Sequence, residues 1–184
     1  MYNLPNLLTF LRVAMIPFFV FAFLSDGISN WFALIIFVLA AITDALDGYI
    51  ARKQNIVTDL GKLMDPLADK LMVMSAFICF TATGILHPAV VIIVMSREFL
   101  VTGLRSIASA KGRVIAADIW GKAKTISQDV AAIVILVWKC SPIFPNLLSV
   151  ISYACVWIMT LLTVFSAVNY CIKNKDIFTE EKHK

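Results

Sequence analysis

Four aspartates, Asp44, Asp47, Asp65 and Asp69, fall within 26 positions of the chain. Within each pair the spacing is three or four residues, so on a helix each pair shares one face. Four carboxylates gathered at one place repel one another, and the repulsion is relieved by protonation or by cations set between them. Hard oxygen donors of this kind suit Mg²⁺ or Mn²⁺ rather than zinc. Two such ions, about 3.5–4 Å apart, suit phosphoryl-group transfer. Taken singly, Asp65 reads equally well as a helix N-cap and Asp47 as a salt-bridge partner; the four together point to metal-assisted chemistry.

The elements that must carry these aspartates are set by the composition. Of the 184 residues, 60 % are hydrophobic and 15 % charged, and the mean hydropathy is +0.87. A soluble domain has roughly 45–50 % apolar and about 25 % charged residues, so the surplus apolar surface calls for lipid as its solvent. Spans of about 20 apolar residues cross a bilayer as helices, which satisfy all their backbone hydrogen bonds internally. Six apolar stretches are legible, at roughly 4–25, 31–53, 65–84, 88–110, 118–140 and 146–172. The expected fold is all-α: an integral membrane bundle of six transmembrane helices. A short N-terminal interfacial segment is expected to open it, because Asn6, Thr9 and Arg12 interrupt the first turns. Residues 1–172 are expected to form one catalytic domain, and 173–184 a solvated cytoplasmic tail. The N-terminus lacks the basic start and small-residue cleavage site of a signal peptide and is read as part of the mature chain.

The formal net charge of +4 does not signal nucleic acid, since Lys and Arg in a membrane protein mark the cytoplasmic side. One set of loops holds Arg52, Lys53, Lys62, Lys111 and Arg113, joined by Lys173, Lys175, Lys182 and Lys184 of the tail; the opposite set offers only Lys139. Both termini are therefore expected in the cytoplasm, which in a bacterium is the inner side of the cell membrane. The second span runs towards that side and ends on Asp44 and Asp47; the third leaves it carrying Asp65 and Asp69. Both pairs fall at one depth, facing the cytoplasm. Asp65 before Pro66 suits an N-cap followed by Pro at the first helical position. Cys79, Cys140, Cys155 and Cys171 are widely spaced, with no CxxC, and read as packing residues. His87 and His183 are isolated.

Spans four and five carry further polar groups. Glu98, Thr102 and Arg105 share one helical face, and so do Lys122, Thr125 and Asp129, while Lys124 departs from another. Arg105, Lys122 and Lys124, with Thr125, form a positive cluster suited to a phosphate monoester, although flanking cytoplasmic lysines arise for positive-inside reasons alone. An unpaired guanidinium at mid-span is expensive, so Arg97 is expected to pair with Glu98 or with one of the aspartates.

The run Asp44-x2-Asp47-Gly48-x2-Ala51-Arg52-x8-Gly61-x3-Asp65-x3-Asp69 resembles the complete signature of the CDP-alcohol phosphotransferases, with all eight fixed residues matching. The resemblance implies a six-helix membrane bundle, usually a homodimer, with two divalent cations. It makes Asp44, Asp47 and Asp65 metal ligands, and Asp69 both ligand and general base. By the same resemblance Gly48, Arg52, Thr58 and Gly61 line the CDP site, and Asn6 and Thr9 match a polar N-terminal motif that approaches the nucleotide. The segments SREFLVTGLR and GKAKT, with Val114 to Ala117 and the opening Asn6, Leu8, Thr9 and Arg12, are similar to the branch of the family that joins CDP-diacylglycerol to sn-glycerol 3-phosphate. A close alternative is the branch whose acceptor is phosphatidylglycerol.

Two readings of other classes fit less well. An ion or proton transporter would stagger polar residues across the whole bilayer, and frequently shows inverted repeats; here the polar residues crowd towards one side and no repeat is visible. A non-enzymatic scaffold accounts for the apolar spans but not for four aspartates at matching depth.

Overall fold

In a computed structural model of the chain, backbone is described for residues 4–25, 29–54, 59–110, 112 and 118–175, and side chains for 10–25, 30–43, 70–109, 112 and 118–175. Six helices follow one another: α1 (Leu4–Leu24), α2 (Ser29–Gln54), α3 (Asp59–Ala82), α4 (Pro88–Ala110), α5 (Ile119–Cys140) and α6 (Pro145–Lys173). No strand occurs among the described residues. The all-α expectation holds, and five of the six helices begin and end within a few residues of the apolar stretches.

The exception is α3, which begins at Asp59, six residues before the expected start. Asp65 is therefore not an N-cap but lies in the second turn, and Pro66 continues the helix. The N-cap reading favoured the one place where the missing proline N–H costs nothing. The helix instead forgoes one backbone hydrogen bond, because the fixed φ of proline is itself helical. Helix α1 runs unbroken from Leu4, and Arg12 is only 2 % exposed, turned into the bundle rather than out to an interface.

The helix ends follow local chemistry. Asp118, in extended backbone (φ −79°, ψ 150°), caps α5 by accepting from the Ile119 N–H at 3.0 Å. After α3, the Ile85 N–H reaches the Phe80 carbonyl (2.8 Å) and the Gly84 N–H the Thr81 carbonyl (3.0 Å). This Schellman arrangement needs a left-handed residue at Gly84, whose φ is 73°. Lys139 caps the far end of α1, donating to the Phe23 carbonyl at 3.1 Å with its ammonium 3.9 Å from the Phe23 ring centre.

Much of the buried interior is aromatic. Phe19 and Phe23 of α1, Phe37 of α2, and Phe77 and Phe80 of α3 are fully buried against Ile135 and Leu136 of α5 and Met159 of α6. Phe23 and Phe80 lie 5.3 Å apart, centre to centre. The outside is also apolar: Phe18, Phe21, Phe99, Trp157 and Leu161 are exposed. In α6 the usual pattern is inverted. Its buried residues are Ser152, Met159, Thr160, Thr163, Ser166 and Tyr170, while Val150, Trp157, Ile158, Leu161 and Ile172 face outward. The buried Ser152, Thr160 and Thr163 hydroxyls satisfy themselves on carbonyls one turn back, at 2.7–2.8 Å. Small and hydroxyl residues at helix contacts with large apolar ones outside are the packing mode of helices surrounded by lipid. Among the described residues, α6 is long and apolar enough to cross a membrane; Phe10–Leu24, Asn30–Thr43 and Lys70–Ala82 are shorter apolar stretches.

Candidate functional site

Asp44, Asp47, Gly48 and Arg52 fall on the last turns of α2, Gly61, Asp65 and Asp69 on the first turns of α3, and Asn6 and Thr9 on the first turns of α1. Their side chains, and Thr58 altogether, lie outside the described residues. What is described is the ground immediately beneath them. A pocket is lined by Arg12 of α1, Phe37, Ala40 and Ala41 of α2, Met72 and Val73 of α3, and Asp129 of α5. Ala40 and Ala41 precede Asp44 by one helical turn, and Met72 and Val73 follow Asp69 by one turn. At about 5.4 Å per turn, the pocket adjoins the backbone level of both aspartate pairs. Nearest the aspartates its α2 wall is the two alanines, which leaves room there, and a buried cation and a carboxylate (Arg12 and Asp129) line the same pocket.

A second polar centre joins four helices. Glu98 of α4, 7 % exposed, is the acceptor for three cations. Arg97 donates to Glu98 Oε1 at 3.2 Å, Lys124 of α5 donates to the same oxygen, and Lys70 of α3 pairs with Oε2 at 3.3 Å. Each cation has another partner. Arg97 Nη2 donates to Ser166 Oγ of α6 at 2.7 Å, Lys124 to Gln128 Oε1 at 3.1 Å, and Lys70 to Thr102 Oγ1 at 2.8 Å. Arg97 also lies against Gly121 of α5, where an added Cβ would come within 3.6 Å of Nη2. Arg97 and Lys124 are 8 % and 4 % exposed. Removing ions of this size from water costs several kcal/mol each. They are tolerated because the carboxylate, the hydroxyls and the amide answer them within hydrogen-bond distance. Among the described side chains, three cations surround this one carboxylate.

The expected pairing of Arg97 with Glu98 is present, and the common face of Glu98 and Thr102 is the one that meets Lys70. The four residues expected around an acceptor phosphate are placed differently from one another. Lys124 is buried in the centre just described. Arg105 is exposed, with its guanidinium carbon 5.8 Å from the ring centre of Tyr170 in α6. Lys122 is exposed, and Thr125, half-buried, bonds the Gly121 carbonyl of its own helix at 3.1 Å. Lys70, Gln128 and Ser166 were not singled out from sequence. The i, i+4 spacing of Lys124 and Gln128 was a usable signal; for Lys70 the signal was only that it follows Asp69 directly. A third contact closes the same end of the bundle: Asp118 accepts from Asn169 Nδ2 at 2.5 Å and from Lys173 at 3.2 Å, tying the start of α5 to the end of α6. Among the described side chains no group of three or more His, Cys, Asp or Glu is placed to hold a metal ion.

Residues 2–165 match the family model described as CDP-alcohol phosphatidyltransferase. The chain belongs to this family. It is 38 % identical to the CDP-diacylglycerol–glycerol-3-phosphate 3-phosphatidyltransferase of Bacillus subtilis (strain 168), an alignment covering 95 % of this chain and 96 % of the relative. Proteins of the same name from Rickettsia bellii and Haemophilus influenzae are each 36 % identical, over 91 % and 92 % of this chain and 93 % and 91 % of the relatives. As a CDP-alcohol phosphatidyltransferase the protein is a transferase, from a membrane-associated family whose members generally depend on divalent cations.

Proposed function

We propose that the protein transfers the phosphatidyl group of CDP-diacylglycerol to sn-glycerol 3-phosphate, giving phosphatidylglycerol phosphate and CMP. The observation that carries the proposal is the likeness over nearly the full length to proteins named for that reaction. It is joined to the complete aspartate signature on the facing ends of α2 and α3.

The donor's pyrophosphate is anionic, and the chain offers hard oxygen donors to cations that neutralise it. Asp44, Asp47, Asp65 and Asp69 would hold two divalent ions, Mg²⁺ or Mn²⁺; all four are carboxylates, the donor type these ions prefer. When bound, such ions stabilise charge on the pyrophosphate and on the departing phosphate. Asp69 removes the proton from an acceptor hydroxyl. That oxygen bonds to the β-phosphorus, the bond from this phosphorus to the bridging oxygen breaks, and CMP leaves with that oxygen on its phosphate. The proton on Asp69 then returns to water. Asn6, Thr9, Gly48, Arg52, Thr58 and Gly61 hold the CDP portion. Arg105, Lys122, Lys124 and Thr125 hold the acceptor phosphate, with Arg97 and Glu98 supporting them; the two buried cations Arg97 and Lys124 on the single Glu98 carboxylate favour an anionic acceptor there.

Residues 1–172 form a single catalytic domain whose six helices all cross the membrane, followed by a cytoplasmic tail at 173–184. Both termini and the active site face the cytoplasm at the bacterial inner membrane, and the protein works as a homodimer. The apolar exterior and the hydroxyl-lined interior of α6 support the membrane setting.

The test is an assay of CMP release from CDP-diacylglycerol with a panel of acceptors, with and without chelator. We expect turnover with sn-glycerol 3-phosphate, none in chelator, and at least 100-fold less for Asp69→Asn, given that a general base contributes roughly 10²–10⁴-fold. Turnover with phosphatidylglycerol and none with glycerol 3-phosphate would move the protein to the other branch.

A further inference from the structure

Lys70 follows Asp69 directly in α3, and its ammonium is held from two sides by α4: by Glu98 Oε2 at 3.3 Å and by Thr102 Oγ1 at 2.8 Å. Glu98 does not move to meet it, being buried and already fixed by Arg97 and Lys124. Lys70 thus reaches from α3 to a rigid point. Glu98 and Thr102 are one turn apart along α4, so the two bonds resist both sliding and rotation of one helix against the other.

We propose that Lys70 is a positioning residue for Asp69, acting as a strut that sets the rotation of α3 about its own axis. The inference rests on the reading of Asp69 as the general base. Residues 69 and 70 are neighbours on one helix, and any rotation of α3 carries both. A base must stand within hydrogen-bond reach of the proton it removes, and a misplacement of about 1 Å costs on the order of 10²-fold in rate. Releasing Lys70 from α4 removes a restraint one residue from Asp69. A lysine suits the strut because its stem spans the gap from α3 and its ammonium ends on the buried Glu98 carboxylate and the Thr102 hydroxyl.

The experiment compares wild type, Lys70→Met, Lys70→Arg and Thr102→Val, purified in detergent with lipid. It measures CMP release against CDP-diacylglycerol and sn-glycerol 3-phosphate separately, together with the thermal midpoint. Methionine keeps the apolar stem and removes the charge. The expected result for Lys70→Met is a kcat roughly 10–100-fold lower, with KM for both substrates changed less than about twofold. Lys70→Arg should recover most of the kcat, and Thr102→Val, which keeps the ion pair, should lie between. A raised KM for glycerol 3-phosphate at unchanged kcat would make Lys70 an acceptor ligand and overturn the proposal. So would full kcat in Lys70→Met, or a loss accounted for by its unfolded fraction while Thr102→Val stays fully active. If wild type releases no CMP with any acceptor, the proposed function fails and this inference with it; activity in wild type matched by Lys70→Met sinks this inference alone.

Discussion

At the scale of single residues, the centre at Glu98 shows how a hydrophobic bundle keeps charge inside. One carboxylate answers Arg97, Lys124 and Lys70, and each cation finds a second, neutral partner. Such a centre tolerates loss of its anion poorly, because the cations stay behind. Glu98→Ala leaves Arg97 and Lys124 buried without their carboxylate, and breaking a buried pair from one side costs about 3–5 kcal/mol. We expect a clear fall in the thermal midpoint of the detergent-solubilised protein. Glu98→Gln, which keeps an acceptor oxygen, should fall less. Equal midpoints for Ala and wild type would mean that water, and not Glu98, compensates these cations. Part of this centre was legible beforehand. A mid-span arginine must be paired, and Glu98 was the nearest carboxylate. Lys70 was not legible as a partner, because nothing in a sequence tells which neighbouring helix a given face meets.

At the scale of elements, the limits of the apolar stretches located the helices and most of their ends. Gly84 shows backbone geometry setting a helix end. Its φ of 73° closes the end of α3, and a Cβ there would meet nothing within 4 Å. Gly84→Ala is therefore strained only by its backbone and should cost about 1 kcal/mol. The thermal midpoint checks this, and Gly84→Asn should be milder because asparagine visits the left-handed region more readily. The start of α3 illustrates a rule that failed. Asp-Pro is a good helix opening, yet α3 begins at Asp59 and passes through Pro66. Preferences for a first turn are worth about a kcal/mol, which is small enough for the surrounding helix to override. Lys139, counted from sequence as the one basic residue of the opposite loops, lies in the last turn of α5 and caps α1.

At the scale of the whole molecule, the two ends differ in chemistry. One end packs Phe19, Phe23, Phe77 and Phe80. The other gathers the aspartate-bearing turns of α2 and α3, the pocket beneath them and the Glu98 centre. An enzyme acting between a lipid and a water-soluble phosphate needs such a division, with a rigid apolar half and a polar half open to the aqueous side. The proposed orientation puts the polar end in the cytoplasm. A fluorescent reporter that matures only in the cytoplasm, fused after Lys184, should fluoresce, and a periplasm-dependent one should be silent. The reverse pattern would invert the topology and remove the active site from its soluble acceptor.

The chain alone determined the helix class, the six apolar stretches and the spacing of the four aspartates. All of these rest on composition, periodicity and local spacing. Only the tertiary structure decided which polar faces meet. Lys124 reaches Glu98 across 26 residues of chain, Lys70 reaches Thr102 across 32, and Arg97 reaches Ser166 across 69. The physical reason is that helical periodicity fixes which residues share a face, whereas the neighbour of that face is chosen by the packing of all six helices at once.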